Sequence, residues 1–398
     1  MTDRRNSRIS KKRKRLRDRT LTTEATTEVS PDGAGSSTAL VPLPMNVWER
    51  ATLMQATEHK NDTSTLTTTT TATDEPAKPK DRERHARVAK AVAAFLERTL
   101  NKGVKGLAAE YIANPKEVVP TEVTAFKENT SHAKNRFNDL ACLDSTRVVL
   151  KKHTTSYIHA NYITSVRSQS RFIVTQAPME TTIIDFWRMV VQEHVEQIVM
   201  LCDFFEDNRS KCAKYFPATK GDRVQFENYE ISNSQVSEML VEKAEPEEGK
   251  VTTSELKVTT RSGVQRLQHH RWTNWKDRKV PAGSQTVLAL LHGIRSTHKP
   301  IVVHCSTGIG RACTFVAIEV VLESLFQGHE CQMDTFLTNL RKQRAYAVST
   351  DLQYVFLHKA VLDYMKGKGK IKSKDHDIAL KKFSEDYQKF ANESQHLK

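Results

Sequence analysis

The sequence contains no long apolar run. Nowhere in its 398 residues is there a stretch of the ~18 consecutive apolar residues that a membrane helix needs. The N-terminus, MTDRRNSRISKKRKRL, has no apolar core of a secretory signal. The six cysteines form no CxxC pair and no cluster with histidine at metal-ligand spacing. From these absences we expect an intracellular, cytoplasmic protein that needs no metal and no cofactor.

Positive charge is concentrated at the two ends of the chain, whose formal net charge is +14. Residues 1–20 hold ten lysines and arginines against two aspartates, and residues 366–398 hold nine lysines against five acidic residues. The middle is therefore almost neutral, unlike a nucleic-acid-binding domain with a basic stripe. The run KKRKRLR at 11–17 is typical of a nuclear-localisation signal, of a polyanion-binding segment, or of a solvated disordered run. A polyanion or an import receptor is the partner that these basic tails predict.

Composition divides the chain into three parts. Residues 1–84 are poor in aromatics and rich in Thr, Ser and Pro, which predicts a disordered basic and Thr-rich tail. Residues 85–366 alternate between helix-period segments and short runs rich in Ile, Val, Tyr and Phe, which predicts one α/β (α+β) domain with N-terminal helices. Residues 367–398 are predicted to be a Lys-rich C-terminal tail.

The segment VHCSTGIGR at 303–311 carries the strongest chemical signal. It is predicted to be a buried strand, a loop with two glycines and the start of a helix. Such a loop turns successive backbone N–H groups inward and forms an anion cradle. These groups and the helix dipole would stabilise a thiolate on Cys305, and Arg311 offers a planar fork for two phosphate oxygens. The combination predicts phosphoryl transfer to sulfur; a buried core cysteine beside an incidental glycine turn is the alternative.

Further segments, in the same order along the chain, resemble the tyrosine-specific, cysteine-dependent protein phosphatases of the non-receptor type. They lie across about 107–365 and include KNRFND at 134–139, TQAP at 175–178, KCAKY at 211–215, WKD at 275–277 and LRKQR at 340–344. The resemblance implies the cysteine-phosphatase fold, a highly twisted mixed β-sheet flanked by helices. It also implies hydrolysis of phosphotyrosine through a cysteinyl-phosphate, with phosphotyrosine-containing proteins as partners.

The resemblance gives each matched residue an expected role. Cys305 would attack phosphorus, Arg311 would hold the phosphate oxygens, and Asp277 would protonate the leaving phenolate, whose pKa is near 10. Phe137 would stack on the substrate ring, and Asp139 would accept N–H bonds from the substrate peptide. The other residues expected at the site are the cradle residues Ser306, Thr307, Gly308, Ile309 and Gly310, and the supporting residues His304, Glu206 and Trp275.

The chain departs from the family pattern at positions that serve the second chemical step. Ala312 replaces the Ser or Thr whose hydroxyl steadies the sulfur as it leaves. Ser349 replaces a Gln that positions the attacking water, and Gln353, one helical turn further on, is a candidate substitute. In the acid loop around Asp277, Lys276 replaces Pro and Lys279 replaces Gly. Losing Pro raises the entropy of the open loop, and the two lysines alter its closure onto a dianion.

These departures leave three hypotheses about function. The first is a protein-tyrosine phosphatase with a slowed second step, because the groups of the first step are all present. The second is a pseudophosphatase that binds phosphotyrosine proteins without efficient turnover. The third is a nucleic-acid or membrane-surface protein that acts through its basic tails.

Overall fold

The computed structural model describes residues 79–116, 118–151, 155–241, 244–371 and 374–396. The tail predicted for residues 1–84 lies outside the described residues up to residue 78. From there on, the prediction is wrong, because helix α1 (Pro79–Ala113) already includes residues 79–84. An ion pair one helical turn apart, between Glu83 and Arg87 at 3.1 Å, helps to extend the helix in this direction. The helix is interrupted at Gly103, which has a φ of 58°.

A mixed sheet of nine strands forms the centre of the fold. Its strands are β1 (Arg147–Val149), β2 (Tyr157–Ile163), β3 (Phe172–Thr175), β4 (Gln197–Met200), β7 (Arg223–Phe226), β8 (Tyr229–Met239), β9 (Val251–Thr260), β10 (Gly263–Trp272) and β11 (Ile301–His304); β5 (Phe205–Glu206) and β6 (Arg209–Ser210) form a separate two-stranded sheet. The order is β1-β2-β3-β11-β4-β10-β9-β8-β7. The neighbours β3, β11, β4 and β10 are parallel, and the remaining pairs are antiparallel.

Helices cover both faces of the sheet. They are α2 (Thr124–Glu128), α3 (Ile183–Gln192), α4 (Gln285–Ile294), α5 (Arg311–Phe326), α6 (Met333–Arg341), α7 (Asp351–Gly367) and α8 (Lys374–His396). Strand β11 contributes to two cores, because successive side chains of a strand point to opposite faces. Ile301 and Val303 pack with α1, α5, α7 and α8, whereas Val302 packs on the other side with α3. The predicted α/β (α+β) fold class, with a mixed sheet flanked by helices, is confirmed.

The segment predicted as a Lys-rich C-terminal tail, 367–398, is in fact largely helical and packed on the domain. In α8, the residues Leu380, Phe383, Tyr387 and Ala391 are buried, and the helix contacts α1 and α7. These residues recur at helical spacing and form one apolar stripe. The prediction was wrong because it relied on overall composition. The many lysines of this segment make it appear polar, although they lie on the exposed face of a helix whose other face is apolar.

The stretch RVQFENYEI at 223–231 has the composition of one continuous strand but contains a turn. The stretch contains β7 and the start of β8. These strands form an antiparallel hairpin in which Phe226 pairs with Tyr229. Glu227 lies in the turn with a φ of 47°. No residue pattern marks this turn, because it contains no glycine, the residue that usually adopts positive φ at low cost. None of the helices in the described ranges combines the length and the apolar content needed to span a bilayer.

Candidate active site

The loop that is predicted to form the anion cradle, here called the cradle, runs from the end of β11 to the start of α5. Within this loop, the backbone N–H of Gly308 donates to Cys305 Sγ at 3.2 Å. Gly308 has a φ of +69°, and a Cβ added to it would lie 2.2 Å from the carbonyl oxygen of Thr175. Only glycine therefore fits here. The loop is packed directly against the backbone that leaves β3.

A buried arginine, Arg344, holds the cradle from beneath. Its Nε donates to the carbonyl of Gly308 and its Nη2 to that of Thr307, both at 3.1 Å. Its Nη1 donates to Asn161 Oδ1 at 2.7 Å. Because the loop carbonyls are engaged below, the N–H groups remain available on the opposite side. Arg344 is part of the segment LRKQR at 340–344. Its role could not be predicted, because no sequence pattern shows which carbonyls an arginine binds.

Arg311 is held in place by an acidic partner from the β5–β6 hairpin. Its Nη1 and Nη2 donate to the two carboxylate oxygens of Glu206, at 2.6 and 3.0 Å. Nη1 also donates to the carbonyl of Trp275 at 2.8 Å. Burial alone would lower the pKa of Arg311, but the hydrogen bonds that it donates to Glu206 and the charge of the nearby Cys305 raise this pKa above its ordinary value. The structure thus brings the predicted brace, Glu206, into contact with the guanidinium.

Asp277 lies beside the cradle, with its Oδ1 3.4 Å from Arg311 Nη2. Its Oδ2 accepts a hydrogen bond from Lys211 Nζ at 2.8 Å. Burial alone would raise the pKa of Asp277, but Arg311 and Lys211 outweigh it and lower the pKa below its ordinary value. The loop is closed on itself by Trp275, whose Nε1 donates to the carbonyl of Lys279 at 2.8 Å. Lys211 begins the segment KCAKY at 211–215, and the sequence did not predict its contact with Asp277.

The segment KNRFND at 134–139, in which Phe137 and Asp139 are expected to contact the substrate, is here called the recognition loop. It is connected to the cradle through Gln176. The side chain of Gln176 accepts from the N–H of Arg136 and donates to the carbonyl of Lys134, both at 2.9 Å. The next residue along the chain, Ala177, donates its N–H to the carbonyl of Ser306 at 3.0 Å. Within this loop, Phe137 and Asp139 are exposed. Their contacts with a substrate stay a prediction.

A chain of buried hydrogen bonds leads from the cradle into the core. His304 Nδ1 lies 3.2 Å from the carbonyl oxygen of Cys305, and His304 Nε2 lies 2.8 Å from the hydroxyl of Tyr215. The same hydroxyl lies 2.6 Å from His269 Nε2. The carbonyl can only accept, so Nδ1 is the donor, and in a neutral His304 the Nε2 atom accepts from Tyr215. Burial, together with His304, lowers the pKa of His269 well below its ordinary value.

Ser349 and Gln353 lie beside Gly310 of the cradle. A Cβ added to Gly310 would lie 2.5 Å from Ser349 Oγ, so this hydroxyl borders the loop. Ser349 donates from its backbone N–H and its hydroxyl to Gln353 Oε1, at 3.2 and 2.9 Å. Gln353 Nε2 donates to the carbonyl of Lys279 at 3.3 Å. Ala312 is fully buried in the first turn of α5.

The described part of the chain contains no group of three or more His, Cys, Asp or Glu side chains that could hold a metal ion. Cys305 is almost fully buried in this structure, with 1% of its surface exposed. The sulfur thus lies at the bottom of the cradle rather than on the surface. The structure therefore places Glu206 and Asp277 against Arg311, in the helix that follows the loop of Cys305; their roles in a reaction stay a prediction.

Comparison with known proteins gives a family for this geometry. Residues 131–363 match the family model described as protein-tyrosine phosphatase. The chain is 34% identical over 261 residues to rat tyrosine-protein phosphatase non-receptor type 9, covering 60% of this chain and 43% of that protein. It is 33% identical over 253 residues to Drosophila melanogaster tyrosine-protein phosphatase 69D, covering 61% of this chain and 17% of that protein. The chain thus spans less than half the length of these relatives.

Solved structures support the same assignment. A structure of PTPN18 in complex with HER2 phosphopeptides is 27% identical, with a TM-score of 0.55, and the match covers 65% of this chain and 96% of that one. A second PTPN18 structure has a TM-score of 0.57 at 27% identity, covering 70% of this chain and 99% of that one. The family match includes the recognition loop, the acid loop and the cradle. The chain belongs to the protein-tyrosine phosphatase family.

Proposed function

We propose that this protein hydrolyses phosphotyrosine in proteins through a cysteinyl-phosphate, with a competent first step and a slowed second step. The observation that carries the proposal is the convergence of three groups at one cradle. Gly308 donates its N–H to Cys305 Sγ, Arg311 lies buried in the first turn of the following helix, and Asp277 approaches Arg311 at 3.4 Å. A nucleophile, an anion clamp and a proton donor are what phosphoryl transfer from a phenol requires.

The cradle offers unused hydrogen-bond donors to a phosphate group. Arg311 Nε is buried and has no hydrogen-bond partner among the described residues, and a buried donor without a partner is costly. The phosphate of the substrate would supply that partner. In the first step the Cys305 thiolate forms an S–P bond, the P–O bond to the phenol breaks, and the phenolate oxygen takes a proton from Asp277.

The charge on Asp277 responds to whether the cradle is occupied. Arg311 and Lys211 lower its pKa in the structure, which favours the carboxylate. A phosphate dianion bound to Arg311 offsets that positive charge and raises the pKa of Asp277. Binding of the substrate therefore favours the protonated form that the first step needs. In the second step, Asp277 is the carboxylate that accepts a proton from the attacking water.

The second step has less support from the surrounding residues. Water must attack the phosphorus of the cysteinyl-phosphate while the S–P bond breaks and the thiolate leaves. Ala312 has no hydroxyl to offer to the departing sulfur. The oxygen of Gln353 already accepts two hydrogen bonds from Ser349, so Ser349 Oγ is the better candidate to accept a hydrogen bond from the water and position it, while Asp277 takes the proton. By analogy with an oxyanion-hole donor, one missing hydrogen bond slows this step by about 10²–10³.

Phosphotyrosine-containing proteins are the proposed substrates. The burial of Cys305 supports this, since the residue is 1% exposed and a phosphotyrosine side chain is long enough to bring its phosphorus to a recessed sulfur. The relative PTPN18 has been solved in complex with HER2 phosphopeptides. An intracellular location is proposed because the relatives include a tyrosine-protein phosphatase of the non-receptor type. The basic run at 11–17, which suggested a nuclear or polyanion-binding role, lies outside the described residues.

The second candidate function is the pseudophosphatase, and Ala312 and Ser349 favour it. Rapid-quench kinetics on a phosphotyrosyl peptide separates the two functions. We expect a burst of released tyrosyl peptide near one equivalent, followed by slow turnover. Cys305→Ser should abolish the burst, and Asp277→Ala should slow it. Equal background release in these two variants and in the wild type would exclude hydrolysis and favour the pseudophosphatase. Fast turnover without a burst would refute the slowed second step.

A further inference from the structure

The acid loop is tied to the C-terminal helix through one side chain. Lys279 extends from the loop and its Nζ donates to the backbone carbonyl of Ser394, at 3.2 Å. Ser394 lies in the last turn of α8, which ends at His396. The last carbonyls of a helix have no partner within the helix and form the negative end of its dipole. An ammonium group is therefore well matched to this position.

The backbone of Lys279 also holds the rest of the acid loop. Its carbonyl accepts one hydrogen bond from Trp275 Nε1 at 2.8 Å and another from Gln353 Nε2 at 3.3 Å. Trp275 in turn accepts a hydrogen bond from Arg311 through its carbonyl. Lys279 thus connects the C-terminal helix, the acid loop and the cradle. Asp277 lies between Trp275 and Lys279 along the chain.

A second contact links the same two elements through aromatic rings. Trp275 of the acid loop packs edge-on against Phe356 of α7, with ring centroids 5.8 Å apart. Phe356 packs against Tyr387 of α8, with centroids 6.5 Å apart. Tyr387 belongs to the buried stripe that fixes α8 to the domain. The helix end that meets Lys279 is therefore anchored rather than free.

We propose that α8 and Lys279 together hold the acid loop in the position that places Asp277 over the cradle. Lys279 is a positioning residue: it acts on the reaction through Asp277 and touches no reacting atom. The proposal rests on the proposed function, since it concerns the proton donor of the first step. It also gives a reason for a lysine where the family has glycine, because the contact with α8 offsets the loop entropy gained by losing proline.

The test measures the single-turnover rate constant of the full chain on a phosphotyrosyl peptide. Lys279→Met removes the ammonium group, and we expect about a tenfold slower step with little change in KM. This loss is smaller than the roughly 10²–10⁴ that a positioned general acid supplies in all, because Asp277 itself is still present. Lys279→Arg keeps a cationic donor and should restore most of the rate. Lys389→Met, a change of the same kind on the exposed face of α8, is the control and should equal the wild type.

Two further measurements separate positioning from a general structural effect. An aryl phosphate with a strongly acidic phenol needs no proton on leaving, so Lys279→Met should cleave it at the wild-type rate. A chain that ends at Gln388 keeps most of the α8 stripe but ends six residues, or about 9 Å of helix, short of Ser394. This truncation should slow cleavage of the phosphopeptide, and adding Lys279→Met to it should slow it no further.

The outcomes distinguish the inference from the proposed function. If the wild type releases no phenol from any aryl phosphate, the proposed function fails. If the wild type is active and Lys279→Met matches Lys389→Met, the clamp is refuted while the proposed function stands. Additive effects of Lys279→Met and the truncation would refute it as well, and so would an equal loss with both kinds of leaving group.

Discussion

Replacing Glu206 by alanine tests how much the brace on Arg311 contributes to the fold. The two side chains are buried, with 0% of Arg311 and 6% of Glu206 exposed, and their closest atoms are 2.6 Å apart. Removing the carboxylate would leave a buried guanidinium that has lost its two shortest charged contacts and keeps Asp277, at 3.4 Å, as an acidic neighbour. Breaking a buried pair in this way costs about 3–5 kcal/mol. We therefore expect Glu206→Ala to lower the free energy of unfolding by about that amount, measured by urea denaturation.

The matched control is Glu238→Ala, which removes the same carboxylate from an ion pair on the surface. Glu238 and Lys250 are 2.7 Å apart, almost the same distance, but 58% and 72% of their side chains are exposed. An exposed pair contributes about 0–1 kcal/mol because water solvates both charges. Burial is thus the main difference between the two changes. Equal losses of stability for Glu206→Ala and Glu238→Ala would refute the reasoning.

Three other changes test the cradle and its acid. Lys211→Met should raise the pKa of Asp277, since Lys211 lowers it, and the fall of the single-turnover rate at high pH should move to higher pH; an unchanged or downward shift contradicts this. Gly308→Ala should abolish phosphopeptide cleavage, because its Cβ would lie 2.2 Å from the Thr175 carbonyl; activity above a tenth of the wild type would contradict this. Arg344→Met should weaken inhibition by inorganic phosphate by at least tenfold, because the loop carbonyls lose their buried donor; an unchanged inhibition constant would show that the cradle needs no such support.

The sequence was most informative where the chemistry is contiguous. A strand, a glycine loop and a helix within residues 303–311 place Cys305 and Arg311 together, because each element is adjacent to the next along the chain. Asp277 and Glu206 are far from this segment in sequence, so only the family resemblance pointed to them. The structure shows both carboxylates in contact with Arg311.

Other contacts had no signal in the sequence. Arg344 binds carbonyls of the cradle, and a pattern of residue types does not show which backbone atoms a long side chain reaches. The link from Lys279 to Ser394 depends on where α8 packs, and the lysines of that segment concealed its apolar stripe. Long-range contacts of flexible side chains are set by the tertiary fold, so local periodicity could not reveal them.

The two proposals together predict which measurement will show the effect of Lys279. If hydrolysis of the cysteinyl-phosphate limits turnover, a tenfold slower first step leaves kcat nearly unchanged and appears only in the burst. Ala312→Ser restores a hydroxyl in the first turn of α5 and should speed the second step. In that background, Lys279→Met should lower kcat as well as the burst rate, because the first step then limits turnover. A steady-state kcat that falls equally in both backgrounds would contradict the assignment of Ala312 to the second step.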